Sequence, residues 1–170
     1  VERVSAPPEA VDTAWRIHGA LGDWTARVDA KASFALTLES AATAGIIALS
    51  ADDRLFADLH GWGARVPLWI GTVIILVGGF LAMLVVVPRL RSSKDLETEA
   101  PNHFIYFGHL RHREVTELAT ALQHTDILPV LSQQLIKMSE IAWRKHRYVQ
   151  GSFVCFGVGA FIVFIVGVVA

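Results

Sequence analysis

Three windows along the chain are almost wholly apolar: Ala32–Ala51, Val66–Val87 and Gly151–Ala170. A bilayer core about 30 Å thick calls for roughly 20 apolar residues in a spanning helix, and each window meets that length. Val66–Val87 holds no charge, runs through four consecutive aliphatics at Ile74–Val77, and is bracketed by Arg65 and Arg89. Pro67 suits a first helical turn, where its missing N–H costs nothing. Gly151–Ala170 is equally free of charge and rich in Phe, Val and Ile. Ala32–Ala51 is more polar, with Ser33, Thr37, Glu39, Ser40, Thr43 and Ser50 among its aliphatics, and lies between Lys31 and Asp52. Inserting one carboxyl costs roughly 2.5–3.5 kcal/mol on insertion scales. This helix therefore either spans among partner helices or lies flat at the interface.

The periodicity does not stop at the window edges. Val11, Ala14, His18, Leu21, Thr25, Val28, Ala32 and Ala35 recur at alternating spacings of three and four, a seam that predicts one helix from residue 9 into the first span. Trp15, Ile17 and Trp24 widen its apolar face, and Asp12/Arg16 and Asp23/Arg27 form i,i+4 pairs. Before the third window, Leu128, Leu131, Leu135, Met138, Ala142 and Val149 lie on one stripe, with Lys145 inside it. Thr125 or Asp126 can cap this helix, with Pro129 in its first turn. It is expected to run unbroken over 127–170, with about 24 residues, or roughly 36 Å, before the membrane. Val115, Leu118, Ala119 and Leu122 predict a short amphipathic helix, and Pro88, Ser92, Ser93 and Pro101 mark 88–103 as a linker.

Composition sharpens this reading. The chain is 53% hydrophobic and 18% charged, yet the three windows hold one of its charges, Glu39. The remaining 108 residues carry the other 30 and have ordinary soluble composition. Two solvents are therefore mixed in the average, which excludes a single-core soluble domain, a basic nucleic-acid-binding protein and a disordered chain. Lys and Arg number four in 1–31, two in 52–65 and nine in 88–150. The positive-inside rule then places the N-terminus and 88–150 in the cytoplasm. The expected order is an N-terminal cytoplasmic amphipathic helix (1–31), transmembrane helix 1 (32–51), a short external loop (52–65), transmembrane helix 2 (66–87), cytoplasmic linker and helices (88–150) and transmembrane helix 3 (151–170). The fold class is all-α, a three-span integral membrane protein whose long helices extend into a cytoplasmic bundle. Trp62 and Trp69 are expected at the outer boundary, Trp143 and Tyr148 at the inner one. No signal peptide is evident, since five acidic residues precede the first apolar window.

Candidate chemistry is sparse. Cys155, the lone cysteine, excludes a disulfide framework or zinc knuckle and reads as a small buried hydrophobe. Glu39 lies about seven residues, or roughly 10 Å, inside its span. It is either part of an ion or proton path or polar glue between helices. Small residues recur every fourth position at Ser33, Thr37, Ala41 and Gly45, at Ser40, Ala44 and Ala48, and at Gly151, Cys155 and Gly159, a pattern that lets helix backbones approach. Phe104–Arg113 mixes aromatics with Arg111 and Arg113. Aromatics with Arg hold a base and a phosphate; alternatively Phe104, Ile105, Phe107 and Leu110 plug the bundle. His103, His109 and His112 lack the partners of a closed metal site, so no metal is expected. Trp143–Tyr148 is a basic juxtamembrane cluster suited to anionic lipid. No nucleophile–base pair, phosphate loop or zinc-protease motif is present, so an enzyme is not expected.

The runs AWRIH (Ala14–His18), DWT (Asp23–Thr25), VDAKASFALTLES (Val28–Ser40), YFGHLR (Tyr106–Arg111) and IAWRK (Ile141–Lys145) together resemble the Pycsar transmembrane effector family. The likeness covers about residues 12–170, includes the two-span, linker, one-span order, and is most specific at Asp29–Ala32. It implies a bacterial antiphage effector in the inner membrane, functionally linked to a pyrimidine cyclase. It also implies a cyclic UMP or cyclic CMP trigger, with membrane impairment as the output and no other cofactor. It marks Tyr106, Phe107, His109, Arg111 and Arg113 as candidate sensing residues, and Asp29, Lys31 and Glu39 as candidate gate or packing residues. A homo-oligomer is expected. The alternatives are a non-enzymatic membrane scaffold or plasmid-transfer accessory protein, and a small oligomeric ion channel built around Glu39.

Overall fold

A computed structural model describes residues 7–51, 54–57, 59, 61–88 and 92–169. Arg3, Asp52, Arg89 and Arg91, used above for orientation and span boundaries, lie outside them. The described residues are all-α: α1 (Pro8–Leu49), α2 (Trp62–Val86), α3 (Ser93–Glu99), a 3-10 turn at Ala100–Asn102, α4 (Phe107–Leu110), α5 (Val115–His124) and α6 (Ile127–Val169). α1, α2 and α6 are long and apolar enough to cross a membrane. The helices group into two compact units, one from 1–25 and 89–143, the other from 26–88 and 144–170.

The sequence explains where these helices begin. α1 opens with Pro8 in its first turn, and the Pro7 carbonyl accepts from Ala10 and Val11. α6 opens on Asp126, whose Oδ1 accepts from the Leu128 N–H at 3.1 Å, with Pro129 in the first turn. α2 starts at Trp62, after Gly61 at φ 90°. Pro67 is therefore in the second turn rather than the first, and removes the hydrogen bond that Gly63 would accept. The reading of 88–103 as a linker is also corrected, because Ser93–Glu99 is helical. A single apolar anchor, Leu96, is buried there, too little to leave a periodic signal.

In the unit of 26–88 and 144–170, the seam runs through the membrane. On α1 it buries Val28, Ala32, Ala35, Glu39 and Ile46; on α2, Leu68, Gly71, Ile75, Gly78, Ala82 and Val85; on α6, Val149, Ser152, Gly159 and Val166. All three keep the alternating three- and four-residue steps of knobs-into-holes packing. Ile46, Phe56, Leu59, Leu68, Ile75 and Val166 form one core cluster, and Val28, Ala32, Val85 and Val149 another. Outward lie Phe34, Ile47, Val73, Phe80, Phe161 and Phe164, all exposed. Apolar side chains outside and Glu39, Thr72 and Ser152 inside suit lipid as the surrounding medium.

α2 and α6 approach each other closely at a pair of glycines. A Cβ on Gly159 would stand 2.6 Å from the Gly71 carbonyl oxygen and 2.7 Å from Ile75 Cγ1. Without a hydrophobic drive inside lipid, such backbone contact is a main source of helix association. Of the small-residue ridges, the one on α6 is used here. Ser33, Thr37, Ala41 and Gly45 on α1 stay exposed, as do Ser40, Ala44 and Ala48. Cys155 is half-buried rather than buried.

The unit of 1–25 and 89–143 packs Ala14 and Leu21 of α1, Leu96 and Ala100, Phe104, and Leu131 and Ala142 of α6. Trp15, Ile17 and Trp24 are exposed, so the apolar face that they widen is broader than the buried one. Phe104 is buried while Phe107 is 65% exposed, so the plug reading holds for the first and fails for the second.

Gly159→Ala is expected to destabilise the chain by about 1–3 kcal/mol through overpacking. Gly157→Ala, whose Cβ meets nothing within 4 Å, should not. Thermal midpoints of the two detergent-solubilised variants check this.

Candidate functional site

Two places concentrate polar chemistry, one in each unit. The first is inside the spans. Glu39 continues the α1 seam four residues past Ala35 and is 2% exposed. Its Oε1 accepts a hydrogen bond from Ser152 Oγ on α6 at 3.0 Å, and its Oε2 has no hydrogen-bond partner among the described residues. Gly78 makes the room: a Cβ there would collide with Glu39 Oε1, and would come within 3.1 Å of the Ser152 carbonyl oxygen. Five other hydroxyls bond back along their own chain segment. Ser33, Thr37, Thr43, Ser50 and Thr72 donate to the carbonyls four residues earlier. Ser152 instead donates across helices to Glu39.

Nearer the N-terminus of α1 lies an ion pair. Lys145 Nζ lies 2.6 Å from Asp29 Oδ1, with both side chains partly buried. Lys145 sits in the α6 stripe as the sequence indicated, and Asp29 provides its counter-charge. The pairing was not readable from sequence, because 116 residues separate the partners. Lys31, two residues along α1, is exposed.

The second place is a cavity of about 500 Å³ in the unit of 1–25 and 89–143. Tyr106, Phe107 and His109, three of the five candidate sensing residues, line it. Their rings continue one another. Tyr106 and Phe107 have centroids 4.4 Å apart, Tyr106 meets His109 edge-on at 5.6 Å, and His103 stacks on His109 at 5.4 Å. His109 Nε2 donates to Glu99 Oε2 at 3.2 Å. On the other walls are His18 of α1, already placed in the α1 seam by its spacing, and Gln133, Gln134 and Lys137 of α6, which sequence reasoning did not single out. Their signal was spacing: 133, 134, 137, 138 and 141 share one helix face.

Arg111 and Arg113 are not brought to this cavity. Arg111 donates to Ser93 Oγ at 2.6 Å and to His112 Nε2 at 3.0 Å. Arg113 donates to the carbonyls of Ala100 and Pro101, and its guanidinium lies 5.7 Å from the Phe104 ring centroid. It adds a second donor to the Ala100 carbonyl, which already accepts from the His103 N–H within the 3-10 turn. Among the described residues no group of three or more His, Cys, Asp and Glu is placed to hold a metal.

A family model described as Pycsar effector protein domain matches residues 13–170. Neither the curated proteins nor the solved structures contain a match.

Replacing Arg113 by Ala should destabilise the protein by about 1.5–3 kcal/mol, the worth of hydrogen bonds from a charged donor. Arg113→Lys should recover only part of that, since an ammonium lacks the planar fork. The measurement is the rate of limited proteolysis of the full chain, and equal rates in Arg113→Ala and the parent would exclude the structural role.

Proposed function

The chain belongs to the Pycsar effector family, and we propose that it permeabilises the bacterial inner membrane when a cyclic pyrimidine nucleotide, cyclic UMP or cyclic CMP, binds its cytoplasmic unit. Family membership makes it an antiphage effector tied to a cyclase system and associated with the membrane. The observation that carries the permeabilising half is the Glu39–Ser152 contact in the seam of the spans. A carboxyl in this place is costly in lipid. A protein that needed only an anchor would gain stability from an apolar residue there.

A single chain fills its seam with side chains, so a conducting path calls for several copies. The exposed small residues Ser33, Thr37, Ala41 and Gly45 support an oligomer, because they offer a second surface for close helix approach. Ser33 and Thr37 already satisfy their hydroxyls within α1, so the face is compatible with lipid before assembly. The Lys and Arg distribution favours a cytoplasmic N-terminus. α1 and α6 each contribute residues to both units. Ligand binding that favours one packing of their seams in the first unit thereby acts on the helices that form the seam of the second. Only differential affinity for the two packings makes such a shift.

The test is ion leakage from proteoliposomes with and without cyclic UMP or cyclic CMP. Ligand-dependent leakage is expected. Binding without leakage would leave a scaffold and sink the permeabilising reading. Glu39→Gln should insert normally, because the amide oxygen still accepts from Ser152, but should change the leak rate. An unchanged rate would reduce Glu39 to packing.

A further inference from the structure

We infer that the cavity walled by the ring series at Tyr106 and the α6 face at Lys137 binds a ligand combining one planar heteroaromatic ring with a single negative charge. This is the chemistry of a cyclic mononucleotide, and in naming that ligand the inference rests on the trigger reading above.

Size and lining come first. About 500 Å³ falls in the range of small-molecule pockets, roughly 300–1,000 Å³. Phe107 is 65% exposed beside Tyr106. An aromatic face left open at the edge of a cavity is a stacking surface that every heteroaromatic base fits. Met138 and Ile141 complete an apolar floor. Gln133 and Gln134 each bring a carboxamide with both donors and an acceptor, the equipment for pairing with the edge of a base.

Charge narrows the class. Glu99, the carboxylate on the wall, accepts from His109. Lys137, the lysine on the wall, forms no ion pair among the described residues. One available ammonium matches one phosphodiester charge. A nucleoside di- or triphosphate would bring several charges against it, and uncompensated charge is costly away from water. The ammonium is a point charge suited to a phosphate oxygen.

Gly22 gives the inference a clean handle. It lines the cavity from α1, and a Cβ built on it meets nothing within 4 Å. Gly22→Leu therefore fills the cavity while raising local helix propensity. A variant that blocks binding without unfolding the unit is thus available beside Lys137→Met, which removes the charge and keeps the stem.

The experiment is calorimetry on the full chain in detergent, with cyclic UMP, cyclic CMP and UMP as probes and thermal midpoints measured alongside. A cyclic pyrimidine nucleotide should bind the parent. Lys137→Met should weaken binding about tenfold or more. Gly22→Leu should abolish binding with an equal or higher thermal midpoint, and dianionic UMP should bind more weakly than its cyclic form. Binding that is unchanged in both variants would overturn the site while leaving the trigger reading intact. No binding of either cyclic nucleotide to the parent would overturn the trigger reading and this assignment together. UMP binding better than the cyclic forms would overturn the single-charge assignment.

Discussion

The alternation of three- and four-residue steps along α1, α2 and α6 is the constraint on which the structure depends. A helix that repeats every 3.6 residues drifts off any fixed stripe unless the buried positions step in this way. On α1 the steps run from Ala14 through Leu21, Val28 and Ala35 to Glu39 and Ile46 without a change of phase. On α6 they run from Leu131 through Ala142 and Val149 to Ser152, Gly159 and Val166. What changes along the seam is the solvent outside. Around 7–25 the opposite face carries Asp12, Arg16 and Asp23; in the spans it carries Phe34 and Ile47 on α1 and Phe161 and Phe164 on α6. Burial in water is driven by apolar contact, whereas in lipid it relies on close packing and polar pairing. The same stripe accordingly shifts from Leu21 and Leu131 to Gly159 and the Glu39–Ser152 pair.

Much of this was legible in the sequence because it is local and periodic. The seam at Val11–Ala35, the stripe at Leu128–Val149, the Asp126 start of α6 and the three apolar windows need only spacing to be read. The misreadings have physical reasons. α3 rests on Leu96 alone and on the Arg111 hydrogen bond to Ser93, a tertiary contact that no window of sequence contains. Pro67 fell into a second turn because α2 extends past the charge-free residues to Trp62, and apolarity marks a span rather than a helix end. Trp15 and Trp24 counted as apolar in the pattern, yet their ring systems have edges that tolerate water.

The candidate chemistry was legible by type more than by position. The aromatics of Phe104–Arg113 were visible as a group, but the chain divides them. Phe104 and Arg113 stabilise the turn at Ala100–Asn102, while Tyr106, Phe107 and His109 face the cavity lining. Gln133, Gln134 and Lys137 went unnoticed because amides and a lysine on an outer helix face look like ordinary solvation. Their meaning comes only from what α1 and Tyr106 bring opposite them.

The niche made by Gly78 links two positions that lie far apart in the chain. The Glu39 carboxyl occupies the volume that a side chain at 78 would need. The two positions are therefore coupled in this chain: a larger residue at 78 would have to displace the Glu39 carboxyl from its place beside Ser152. Helix propensity alone favours a larger residue than glycine at 78, so what asks for glycine there is the buried carboxyl and the close Ser152 carbonyl rather than the helix itself.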